Sequence, residues 1–77
     1  MRLYYEAYEV LPENSAEEPD FVRIDITDLN ESERLDALEA IREQFAGKKY
    51  VIYLHKCYHD EDPKKPCEVV KIEDRSS

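Results

Sequence analysis

The side chains best equipped for chemistry fall in one run, H-K-C-Y-H-D-E-D-P-K-K-P-C, residues 55–67, which holds both cysteines and both histidines of the chain. Alternate residues of a strand project to the same side. If the run opens on a strand, His55 and Cys57 therefore share a side. Cys67 then stands across a hairpin from Cys57, and His59 sits in the connecting loop, where it can fold back. Two thiolates and an imidazole, with His55 or Asp60 as the fourth donor, make up a tetrahedral zinc set. The run lacks the tight C-x-x-C knuckle of zinc modules, so geometry rather than pattern must carry this reading. A cross-strand disulfide and two plain thiols are the plainer readings of the same residues. A Cys57–His nucleophile pair is another, but no third group or oxyanion donor can be identified to complete it.

Carboxylates offer a second chemistry. Glu13, Glu17, Glu18 and Asp20 fall in one loop, and Asp60, Glu61 and Asp62 in another. Clustered carboxylates are calcium ligands, although an acidic loop is more often just a solvated one. In the second loop Lys64 and Lys65 partly neutralise the acids. The stretch D-L-N-E-S-E-R-L-D-A-L-E (28–39) resembles an EF-hand loop in spacing. Asp28, Asn30, Ser32, Asp36 and Glu39 fall on its ligand positions. It departs where Glu33 replaces the glycine that makes the sharp turn. The same residues read as a capped helix start, and the two conformations exclude each other.

The elements that must position these groups follow from periodicity. Residues 2–11 read as a strand, aromatic and apolar on both faces. Prolines bracket the loop 12–20, and F-V-R-I-D-I-T alternates as a second strand with one wet face. From Asn30 to Phe45 runs one helix, with Asn30 and Glu33 as a capping box. Leu35, Leu38, Ile41 and Phe45 form its apolar stripe, with the Arg34 and Arg42 head groups in water. Gly47, the only glycine, suits the left-handed residue after the helix. Strands at about 50–57 and 67–73 complete a ββαββ order.

The doubly apolar first and third strands belong inside the sheet, because an aromatic edge strand invites aggregation. This predicts an α+β fold, one helix on a four-stranded antiparallel sheet in order 2-1-3-4, spanning residues 1–73 with a disordered tail over 74–77. Pairing Cys57 with Cys67 would set Leu54 against Val70 and Ile52 against Ile72, all four beneath the helix. One helix cannot cover both sides of such a sheet. Tyr4, Tyr8, Tyr53 and His55 would then lie on the uncovered face, and tyrosine is at home at protein interfaces.

Nineteen acidic residues against eleven basic give a net charge of −8. Nucleic acid and anionic membrane both need neutralising Lys and Arg, so neither is an expected partner. No apolar run approaches the length of a membrane span, and the expectation is a cytoplasmic protein. At 77 residues a large buried cleft is hard to build. The expectation is a non-enzymatic binding domain: a protein partner or a homodimer at the tyrosine face, with zinc at the Cys/His hairpin or calcium at the acidic loops as the alternative. An acidic mimic of nucleic acid would want its carboxylates in an ordered row rather than in loops.

Overall fold

In the computed structural model, which describes residues 1–77, the order is β1 (Arg2–Glu9), β2 (Phe21–Asp25), α1 (Glu31–Gln44), β3 (Tyr50–Cys57) and β4 (Glu68–Arg75). The sheet is wholly antiparallel in the order β2-β1-β3-β4. The two strands that are apolar on both faces are therefore the central ones. β1 and β3 pair along their whole length, from Arg2 opposite Cys57 to Glu9 opposite Tyr50. β4 runs past the expected boundary: Asp74 pairs with Val51 and Arg75 with Tyr50, so the tail assigned to 74–77 is shorter. No helix is long and apolar enough to cross a membrane.

The helix begins as its capping box dictates. Asn30 Oδ1 accepts from the Glu33 amide at 2.9 Å, and Glu33 Oε1 accepts from the Asn30 amide at 3.0 Å. Asn30 and Glu33 are thus committed to a helix start, and residues 31–39 are helical rather than folded as a calcium loop. At the other end Gly47 takes φ +80°, and a Cβ there would meet nothing within 4 Å. Backbone conformation alone, rather than space, calls for glycine.

Helix and sheet enclose Tyr5, Ala7, Ile26, Ile41, Phe45, Tyr50 and Ile52. The Phe45 and Tyr50 rings stack at 5.4 Å. Ala7 is fully buried, and its small side chain lets the helix come close. Leu38 joins this cluster as expected, with Ala37 beside it, but Leu35 is 58% exposed. At 3.6 residues per turn Leu35 lies about 100° round from the line of Ile41 and Phe45, which takes it off the buried arc.

Two expectations about β4 fail together. Leu54 does pair with Val70, but a bulge between Ile52 and Tyr53 sets Ile52 opposite Glu73 instead of Ile72. Val70 and Ile72 are 49% and 42% exposed, so the helix does not cover them. A helix is about 10 Å across and four strands span about 19 Å, so one edge must stay bare. The gap is bridged by charge. Arg42 donates from Nε and Nη2 to the Glu73 carboxylate, at 2.8 Å for the shortest bond, and Tyr50 Oη donates to it at 3.2 Å. The Arg42 head group is therefore an anchor between helix and edge strand, not a solvated end. Arg34 likewise donates, to the Leu29 carbonyl. The Arg42 hydrogen bonds hold the Glu73 carboxyl below its ordinary range, against the opposing effect of burial.

Candidate metal centre and the open sheet face

Cys57 ends β3, and Cys67 immediately precedes β4. Between them the chain folds into nested turns, with the Glu61 and Asp62 amides both donating to the Tyr58 carbonyl and the Lys65 amide to Asp62. Lys65 Nζ lies 4.0 Å over the Tyr58 ring, which ties the two sides of the loop together. This tight start turns His59 back over the strand ends. Its Nδ1 lies 3.1 Å from Cys57 Sγ and 3.9 Å from Cys67 Sγ. One donor atom from each of Cys57, His59 and Cys67 lies within 4.8 Å of the others. A tetrahedral zinc with bonds of about 2.0–2.3 Å has ligand–ligand edges of about 3.3–3.8 Å, so these three atoms already sit near three corners. Both cysteines are free, and both are half-buried. The Cys67 thiol is pushed up from its ordinary value, first by its hydrogen bond with Cys57, then by burial and by repulsion from a Cys57 thiolate.

Neither fourth ligand expected from the sequence joins them. Asp60 and Glu61 lie 3.5 Å and 2.7 Å from the amino group of Met1. His55 turns the other way: its Nδ1 is 2.8 Å from Glu6 Oε1. A carboxylate only accepts, so Nδ1 carries the proton and donates. Glu6 is itself buried, and its second oxygen lies 3.3 Å from Arg23 Nε. The Arg23 guanidinium lies 4.0 Å over the Tyr4 ring, and Tyr4 meets His55 edge-on. The middle of the open face is therefore a polar cluster, Arg23–Glu6–His55 with Tyr4. His55 Nε2 is buried there without a hydrogen-bond partner.

The far end of the same face is aromatic. Tyr8 packs against Phe21 at 4.9 Å and edge-on against Tyr53 at 5.9 Å. Parity is as expected: Tyr4, Tyr8, Tyr53 and His55 all lie opposite the helix. Of these, Tyr8 is exposed while Tyr4, Tyr53 and His55 are half-buried, and Phe21 adds an exposed ring.

The carboxylate loops do not gather into a site. Glu13, Glu17 and Glu18 are exposed and converge with no other ligating groups, and Asp20 is bound by Lys48 Nζ. Asp62 accepts from the Lys64 amide within its own turn. Glu6 is the member of this polar cluster that the sequence analysis does not single out. Its signal was there: an acid amid aromatics on a central strand, on the same face as Arg23 and His55. Compared with protein-family models, curated proteins and solved structures, this chain matches none.

Proposed function

We propose that this is a metal-binding domain whose β3–β4 hairpin takes a zinc-like divalent ion through Cys57, His59 and Cys67. The observation that carries this reading is the return of His59 onto the two thiols, with all three donor atoms within 4.8 Å. Thiolate and imidazole together select zinc and its soft neighbours over calcium or magnesium. Three protein ligands leave a fourth position for water or another donor, as in open zinc sites. The ion would close the nine-residue loop between Cys57 and Cys67. Only nine residues of the chain are buried, and in so small a domain a metal staple supplements a thin core. Ligand thiols must lose their protons on binding, so uptake releases protons and weakens as pH falls.

The test is cobalt substitution of reduced, chelator-treated protein, followed by competition with zinc. One equivalent should give the intense visible bands of a tetrahedral thiolate site, and zinc should bleach them. Cys57→Ser and His59→Ala should each weaken binding at least tenfold, in line with the loss of an oriented ligand. Uptake that is unaffected by Cys57→Ser, or no stoichiometric uptake at pH 7.5, would sink the reading. The tyrosine face expected to hold a protein partner rests on different residues, Tyr4, Tyr8, Tyr53 and His55.

A further inference from the structure

We infer that the open sheet face is a self-association surface, and that its occupant is the same face of a second copy of this chain. On this face the strands present Arg2, Arg23 and Lys71 against Glu6, Asp25 and Asp74. Each base has its acid: Arg2–Asp25 at 3.3 Å, Arg23–Glu6 at 3.3 Å and Lys71–Asp74 at 3.2 Å. The face is therefore neutral in a chain of net charge −8, and the whole surplus sits on the helix, the helix side of the sheet and the loops. A basic partner would find no free carboxylate row here, and an acidic one would be repelled by the molecule as a whole. What the face does offer is exposed apolar area: Tyr8, Phe21 and Val69 are 40%, 50% and 54% exposed. The partner that suits a neutral, aromatic surface without surplus charge is a like surface.

Face-to-face stacking also answers the repulsion between two chains of −8. Packed sheets lie about 10 Å apart, and each helix lies about another 10 Å outside its own sheet. The acidic helices, with Glu31, Glu33, Asp36, Glu39 and Glu43, would then be about 30 Å apart. That is several times the screening length of about 8 Å in physiological salt. Any arrangement through the helix side would bring those carboxylates together. Area sets the strength. Strands of eight, five, eight and eight residues make a face of about 450 Å², so about 900 Å² in all, near the lower limit for a specific contact. The dimer is accordingly a weak, concentration-dependent one.

The test is sedimentation velocity on the reduced, chelated full chain from about 10 µM to 1 mM, the range in which a contact of that size should populate. The sedimentation coefficient should rise towards that of a dimer. Tyr8→Asp combined with Phe21→Asp should raise the dissociation constant at least tenfold, and Leu35→Asp, on the outer face of the helix, should leave it unchanged. Circular dichroism reports whether each variant is folded. Independently, amide shifts of the unaltered protein on dilution should move at Tyr4, Tyr8, Phe21, Tyr53 and Val69. A monomer at every concentration overturns the inference. So does a dimer indifferent to the Tyr8/Phe21 pair, or dilution shifts confined to the β4 edge.

Discussion

The two faces of this sheet are made by the same strands and hold together by different physics. Under the helix, Ala7, Ile26, Phe45 and Ile52 are wholly removed from water and carry no charge. On the other side a buried glutamate, an arginine and a histidine form the centre, with aromatic rings on one flank and two thiols on the other. Alternation of side chains along β1 is enough to produce both, Tyr5 and Ala7 turning one way and Tyr4, Glu6 and Tyr8 the other. The covered face is stabilised by removal of apolar area, which is tolerant of detail. The open face is stabilised by specific pairings, each of which leaves a stranded group if broken. A small domain can thus keep a single core and still display an ordered polar surface.

The sharpest way to separate the two is to truncate one residue on each. Phe45→Ala should destabilise by about 3–5 kcal/mol, the usual cost of emptying a buried aromatic site. A domain of this size has little more than that in total, so urea denaturation should find the variant largely unfolded at 25 °C. If Tyr53→Ala on the open face costs as much, both faces are core and the contrast between them disappears.

Glu6→Ala should come next, at about 2 kcal/mol, because it leaves the half-buried His55, and the exposed Arg23 beside it, without their acceptor. Glu6→Gln keeps the volume and one acceptor oxygen and should recover part of the loss. Urea midpoints with the slope held constant would read both. Equal losses for Ala and Gln would mean that charge, rather than hydrogen bonding, organises the cluster.

The smallest expected effect tests the join between helix and β4. Arg42→Ala should cost about 1–2 kcal/mol, discounted because the arginine is partly solvated. The linked pH dependence has a definite sign. Glu73 titrates lower when folded than when unfolded, mainly because Arg42 binds its anion. Its contribution is therefore complete above the unfolded carboxylate pKa of about 4.3 and disappears as pH falls through the folded value. Glu73→Gln should flatten part of the stability loss between pH 5 and pH 2. A variant whose acid limb matches the unaltered protein's would show the pair to be idle.

Much of this architecture is legible in the sequence, because it depends on short-range rules. The Asn30–Glu33 box marks the helix start, Gly47 its exit, and the apolar content of residues 2–11 and 50–57 places those strands inside. The parity of the tyrosines followed from the same alternation. Leu35 falls outside the buried arc, since the helix has to face Ile52 and Ala7 at once. Of the candidate metal group, Cys57, His59 and Cys67 are identifiable from spacing, whereas His55 and Asp60, expected as the fourth donor, turn to Glu6 and the Met1 amino group instead.

What the chain determines by itself is therefore its strand and helix periods, its turns and the side each residue takes. What only the tertiary structure decides is which polar groups meet. His55 goes to Glu6 across 49 residues of sequence, and Arg42 to Glu73 across 31. One bulge in β4 moves Glu73 into the place Ile72 would have taken. Periodicity acts over a few residues, but an ion pair depends on register and on angstrom-scale reach, and those are set when the strands and helix have come together.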